Sequence, residues 1–298
     1  MLRLRKFGIK NWLYRIAIAL TAMLVAVGWS HWSKDSAIAQ VALKRTEVNS
    51  PELVAVRSGF CQSSLEAAIE SIIGSPEFTR ARWGIQIEPL SDPTVLYSHN
   101  GDLPLIPASN VKLLTTAAAL RIIDIRTPQD LSTVDNLVTE INRESDNELA
   151  DYLLRHIGGR NVVKQLLASI GVSANSYEQV DGSGLSRSNR AEPSTFIALL
   201  KAMHAQNLYS GMFYHSLSVA GVNGTLRNRF RNTFIQGRVH AKTGTLNGVR
   251  ALSGYLDNLD YGALAFSIMV NQPGQSGQVM VDAIDRIVLN AAQVSRCS

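Results

Sequence analysis

The sequence predicts an α+β fold: an antiparallel sheet of about five strands, flanked by N- and C-terminal helices, with a helix-rich region beside it. Two observations carry this expectation. The C-terminal third holds three runs of small and β-favouring residues, 238–245, 249–256 and 263–270, parted by short turns at 246–248 and 257–262. Connections that short make the strands antiparallel neighbours. The stretches 130–172 and 194–204, by contrast, read as mostly helical, with stops at Gly158, Gly159 and Gly171. Strands and helices grouped apart in this way indicate α+β rather than alternating α/β.

Taken in order, Ser63-x-x-Glu66 reads as a capping box opening the first helix, whose apolar face is Leu65, Ala68, Ile69, Ile72 and Ile73. Trp83 to Glu88 alternates as a strand, and Thr94 to Ser98 returns across Ser91, Asp92 and Pro93 as a hairpin. The stretch Pro107-Ala108-Ser109-Asn110-Val111-Lys112 then opens an apolar run, 113–120, rich in strong helix formers. That predicts a buried helix starting at Ala108 or Ser109. Further helical patterns cover 148–156, 162–170 and, behind Pro193, 194–204. The last helix spans 280–292, with Val281, Ile284, Val288 and Ala291 on one stripe.

The N-terminus reads as a targeting segment. Arg3, Arg5, Lys6, Lys10 and Arg15 precede an apolar stretch at 16–29, and Ala37-Ile38-Ala39 supplies a small-residue cleavage pattern. The apolar stretch is short of the roughly 20 residues that span a bilayer. Residues 1–39 are therefore expected to be a signal peptide, with an uncleaved signal anchor as the alternative; a membrane partner follows only from the anchor. Either way the chain is expected to work in the periplasm or otherwise outside the cytoplasm. Residues 40–60 lack periodicity and read as a flexible lead-in, which leaves 61–298 as the folded domain.

Removing the leader changes the charge argument. Six of the 29 basic and one of the 24 acidic residues lie in it, leaving 23 of each. A neutral mature chain excludes the general affinity for nucleic acid that the whole-chain balance of +5 would imply. The six histidines, at 31, 99, 156, 204, 215 and 240, form no ligand-type spacing, and neither do the two cysteines, Cys61 and Cys297. No metal and no cofactor is expected.

Three short stretches hold residues suited to acyl transfer. Ser109 and Lys112 are three residues apart at a helix start and so share a face. A serine hydroxyl attacks a carbonyl only when a base takes its proton, and a lysine serves as that base when its pKa is lowered. Ser145-Asp146-Asn147 lies on a loop or helix start; Ser145 suits a proton relay and Asn147 a contact to a substrate amide. Lys242-Thr243-Gly244 lies on the first C-terminal strand. There Lys242 offers charge, Thr243 a hydroxyl for a substrate carboxylate, and Gly244 room for close approach of substrate backbone. The backbone N–H groups of Ser109 and Thr245 form the expected oxyanion pair. Between Glu192 and Asp257 no acid occurs, while Lys201, Arg227, Arg229, Arg231, Arg238, Lys242 and Arg250 do. Such a segment is expected to favour an anionic peptide, with Arg250 assisting from the neighbouring strand.

S-x-x-K, S-D-N and K-T-G in this order resemble the signature of class A β-lactamases and penicillin-binding proteins. Asp181-Gly-Ser-Gly-Leu-Ser-Arg187, Asn189-Arg190, Gly221-Val-Asn-Gly-Thr-Leu-Arg227, His240-Ala-Lys-Thr-Gly-Thr-Leu246 and Ala251-Leu-Ser-Gly-Tyr255 narrow it further. From about Cys61 to Ala292 the chain resembles the D-alanyl-D-alanine carboxypeptidase/endopeptidases, the low-molecular-mass class C penicillin-binding proteins. The resemblance implies a β-lactamase/transpeptidase-like fold and a serine D,D-peptidase domain over 61–298. It also implies peptidoglycan stem peptides as substrates and β-lactam antibiotics as covalent inhibitors. Carboxypeptidase action, with endopeptidase action beside it, is the activity it points to; the alternatives are a β-lactamase of the same fold and a non-catalytic peptidoglycan-binding protein. Only 32 residues separate Lys112 from Ser145, so the domains that such proteins insert there are missing. In the resembling fold the N- and C-terminal helices pack together, which, if they run antiparallel, implies a disulfide between Cys61 and Cys297; the alternative is that both are frayed-end residues.

Overall fold

The computed structural model describes residues 60–126, 131–205 and 210–297. The leader expected at 1–39 and all but the last residue of the lead-in lie outside them. That last residue, Phe60, belongs to the fold: it bridges in parallel to Val294, and Ser295 N–H donates to its carbonyl at 2.9 Å.

A six-stranded antiparallel sheet organises the domain. It is built from β1 (Arg82–Pro89), β2 (Tyr97–His99), β5 (Ser218–Val219), β6 (Val239–Leu246), β7 (Val249–Asn258) and β8 (Gly262–Asn271) in the order β2-β1-β8-β7-β6-β5. The expected five strands are present. The sixth, β5, has two residues, too few for any periodicity to announce it. A separate two-stranded ribbon joins β3 (Tyr177–Glu178) to β4 (Arg190–Ala191).

Alternation along the central strands assigns the two sheet faces. Leu252 and Leu256 of β7, with Ile268 of β8 and Ile85 of β1, meet α1 (Gln62–Ile73) and α8 (Gly277–Gln293) through Leu65, Ile69, Ile284 and Ile287. Ala251 and Tyr255 of β7 face the other way, with Ala265 and Met269 of β8. They pack under α2 (Lys112–Arg126) and α6 (Pro193–Ala205) through Leu113, Leu114, Ala117, Phe196 and Leu200. α1 begins at Gln62 with Cys61 at its N-cap, and no side chain caps it. Ser63 therefore sits inside the first turn, so the expected capping box does not form.

The helical region comprises α3 (Leu131–Thr139), a π-helical turn (Glu140–Glu144), α4 (Asn147–His156), α5 (Arg160–Ala168) and α7 (Ser210–Ser216). Leu113, Leu114, Ala117, Ala118 and Leu120 of α2 are all fully buried, because sheet and helices enclose it on opposite sides. Two buried polar chains fix what surrounds its start. Asn110 Nδ2 donates to Ser253 Oγ at 2.7 Å, and Ser253 meets Ser267 at 2.9 Å, which ties the Ser109 turn to β7 and β8. Asn142 Nδ2 donates to Thr116 Oγ1 at 3.1 Å and Ser216 Oγ at 2.8 Å, which ties the π-helical turn to α2. Buried groups paired in this way hold one arrangement, since breaking a pair leaves a polar atom without water.

Candidate active site

Ser109 lies in a 3-10 turn, Ala108–Val111, that runs into α2. In a 3-10 turn side chains three apart eclipse, and Lys112 Nζ accordingly donates to Ser109 Oγ at 3.0 Å. The turn is gripped from two sides. A Cβ on Gly244 of β6 would come 2.5 Å from Pro107 O, and one on Gly184, at φ +86°, 2.1 Å from Ala108 O. Ala108, wedged between them, takes φ 48°, a left-handed conformation costing a non-glycine residue about 1–2 kcal/mol.

Lys112 is fully buried. Its Nζ donates to Asn147 Oδ1 at 2.7 Å and to Ser183 O, while Ser109 Oγ also donates to Ser183 O at 3.3 Å. One carbonyl thus holds both members of the pair. Burial pushes the Lys112 pKa down to about 8, outweighing the opposite pull of Asp151, Asp181 and Asp146. Each of these carboxylates accepts from backbone N–H groups. Asp146 Oδ1 caps α4 through Leu149 N–H at 2.8 Å, and Asp151 Oδ1 accepts from Gly182 and Ser183 N–H, both at 2.8 Å. Asp181 accepts from Gly184 N–H at 2.7 Å and Ser186 N–H at 2.6 Å.

Opposite stands β6. Lys242 is fully buried and shares its sheet face with its cross-strand partner Ser253, whose hydroxyl Asn110 holds. Burial first, then the charge of Lys112, drive its pKa well below the usual lysine value, with Glu144 pulling the other way. A substrate carboxylate placed there would restore its charge. Beyond His240 and Ala241, which pair with β5, the outer edge of β6 has no strand partner among the described residues. Ala220 N–H donates to Val239 O on that edge at 2.9 Å, so by alternation the backbone groups of Thr243 and Thr245 point outward there as well.

The sequence matches the D-Ala-D-Ala carboxypeptidase 3 (S13) family over residues 65–128 and 130–294. The chain belongs to this family. Among relatives, it is 37% identical over 165 residues to a D-alanyl-D-alanine carboxypeptidase of Actinomadura sp., covering 50% of this chain and 30% of that one. It is 32% identical over 168 residues to penicillin-sensitive carboxypeptidase A of Dictyostelium discoideum, covering 49% and 31%. The chain thus spans about a third of the length of the curated relatives it matches. A β-lactamase structure from Chitinophaga pinensis superposes with a TM-score of 0.64 at 17% identity, over 77% of this chain and 98% of that one. The fold is therefore the α+β β-lactamase-like fold.

Within this S13 chain the structure brings Ser109, Lys112 and Asn147 into direct contact, with Lys242 close enough to feel the Lys112 charge. Ser145 ends the π-helical turn in a left-handed conformation, φ 66°, and its hydroxyl bonds neither Ser109 nor Lys112. Thr243 Oγ1 donates to Thr225 Oγ1 at 2.8 Å; Thr225 meets Ser218 Oγ at 3.0 Å, and Ser218 donates to Arg143 O at 2.9 Å. This chain of hydroxyls links β6 to the turn bearing Ser145.

Arg250 is not brought to the site. Paired with Thr245, it points to the sheet face opposite Lys242. Its Nη1 donates to Leu246 O at 2.8 Å and Val249 O at 2.7 Å, and its guanidinium packs so tightly on Gly277 that a Cβ there would come 1.7 Å from Nη2. The expected basic field also breaks up. Lys201 pairs with Glu88, Arg227 with Glu144 at 3.2 Å, and Arg229 with Asp285, all acids outside the segment. Asp151 carried no signal in the sequence, and Ser183, Gly184 and Thr225, though inside the stretches that carry the resemblance, were given no role at the site. The Asp-Gly-Ser-Gly run and the Gly-Thr of 224–225 were the available signals.

Proposed function

We propose that this chain is a serine D,D-carboxypeptidase that removes the terminal D-Ala from peptidoglycan stem peptides through a Ser109 acyl-enzyme. The observation that carries this reading is a buried Lys112, with its pKa near 8, 3.0 Å from Ser109 Oγ and beside an open strand edge. Neutral Lys112 takes the Ser109 proton as Oγ bonds the penultimate D-Ala carbonyl carbon. The oxyanion forms between the N–H groups of Ser109 and Thr245. As it collapses the C–N bond breaks, and the departing D-Ala amine takes up the proton that Lys112 received from Ser109. Water then hydrolyses the ester. Lys242 and Thr243 hold the terminal carboxylate, and Asn147 the peptide amide. The leader at 1–39 exports the chain, and a compartment that keeps disulfides oxidised suits the Cys61–Cys297 bridge.

β-Lactams mimic the scissile end and acylate the same serine. Rapid release from a class A β-lactamase needs a glutamate that activates water. Here Asp146, Asp151 and Asp181 are each committed to backbone N–H groups. Fluorescent penicillin is therefore expected to give a label stable for many minutes, alongside D-Ala release from a stem pentapeptide. Fast loss of label with hydrolysed penicillin as product would replace the carboxypeptidase reading by a β-lactamase. No label at all would leave a binding protein.

The pH dependence has a definite sign. Only neutral lysine accepts the proton, and Lys112 becomes neutral above its lowered pKa of about 8. Acylation kcat/KM, which reports the free enzyme, should climb roughly tenfold per pH unit below that value and level off above it. A profile flat from pH 6 to 9 would remove Lys112 as the base.

A further inference from the structure

Asn147 and Asp151 are four residues apart on α4 and share a face, and that face meets the 179–189 loop. We propose that Asp151 is a positioning residue for the Ser109–Lys112 pair: its carboxylate clamps this loop so that the Ser183 carbonyl holds lysine against serine. The inference rests on the serine-peptidase reading above.

The clamp consists of two hydrogen bonds to one atom. Gly182 N–H and Ser183 N–H both donate to Asp151 Oδ1 at 2.8 Å. Next along the chain is the Ser183 carbonyl, which accepts from Lys112 Nζ and Ser109 Oγ. The loop lies hard on α4 at this point, since a Cβ on Gly182 would come 2.2 Å from Ala150 O.

Asp181 does a different task, because its bonds to Gly184, Ser186 and Asn189 stay inside the loop and set only its internal shape. Asp151 reaches the loop from another element, so it governs how far the Ser183 carbonyl stands from the lysine. Charge-assisted bonds to backbone amides are strong enough for that role. The Asp151 charge also faces the ammonium, together with Asp146 at the N-cap of α4 and Asp181 of the loop, while Lys242 of β6 opposes them. Burial of Lys112 outweighs the three acids.

The two functions of Asp151 separate by substitution. Asp151→Ala removes the acceptor, and acylation by fluorescent penicillin should slow about 10- to 100-fold, as expected for a reacting pair displaced by a fraction of an ångström. Asp151→Asn keeps an oxygen acceptor at Oδ1 and removes the charge. It should recover most of the lost rate, with the acidic limb of the pH profile moved about half a pH unit lower, because the ammonium loses an anionic neighbour. Thermal unfolding run in parallel separates this from a structural role, which would lower Tm without moving the limb. A wild-type chain that labels while Asp151→Ala labels equally fast, or an Asp151→Asn that labels as slowly as Asp151→Ala, overturns the inference alone. A wild-type chain that does not label overturns the peptidase reading and this inference with it.

Discussion

Ser109→Ala is expected to abolish acylation by penicillin and release of D-Ala, a fall of roughly 10⁴-fold or more for loss of a nucleophile that acts as a unit with its base. The fold should survive. Ser109 contributes one hydroxyl, accepting from Lys112 and donating to Ser183 O, and in its absence Lys112 Nζ keeps Asn147 Oδ1 and Ser183 O as partners. Lys112→Ala should approach the same loss by another route, since the hydroxyl remains and its base is gone. Gel fluorescence after penicillin labelling and a coupled assay for free D-Ala measure the two activities, with Tm recorded for each variant. Wild-type turnover by either variant, at wild-type Tm, would end the Ser109–Lys112 mechanism.

The second large effect concerns stability. Cys61 at the N-cap of α1 and Cys297 beyond the end of α8 are joined by a disulfide, with Cα atoms 5.6 Å apart and a sequence separation of 236. Constraining so long a loop in the unfolded chain stabilises the fold by up to about 5 kcal/mol on the chain-entropy argument. α1 and α8 share one apolar face of the sheet, and Phe60 bridges to Val294 beside the disulfide, so these ends are ordered by contacts that the bond reinforces. The double variant Cys61→Ser/Cys297→Ser should lower Tm by roughly 10 °C for a domain of this size. An unchanged Tm would mean that the packed helices alone hold the ends. Two free thiols in mass spectrometry of the non-reduced protein would remove the bridge.

Arg250 shows how parity could have corrected the sequence reading. The short turn at 247–248 pairs Thr245 with Arg250, and Lys242 lies three residues before Thr245. An odd offset along a strand puts two side chains on opposite faces, so nearness in sequence to Lys242 did not bring Arg250 to the same site. The basic run failed for a different reason. Its partners Glu88, Glu144 and Asp285 are distant in sequence, and a local charge count cannot include them.

By itself the sequence determined whatever depends on near neighbours. The 3.6-residue period placed most helices, β-favouring composition and short turns placed the three long C-terminal strands, and a spacing of three put Ser109 beside Lys112, because local backbone geometry needs only near neighbours. Tertiary structure alone decided what closes around that pair. Ser183 lies 71 residues from the lysine it holds, Asp151 reaches the loop from a separate helix, and Gly184 and Gly244 converge on one turn from a loop and a strand. Which loop returns to a given helix is set by the packing of the whole core. The lowered pKa of Lys112 belongs to the same level: any lysine three residues after a serine has the spacing, and only burial takes away the water that would keep it charged.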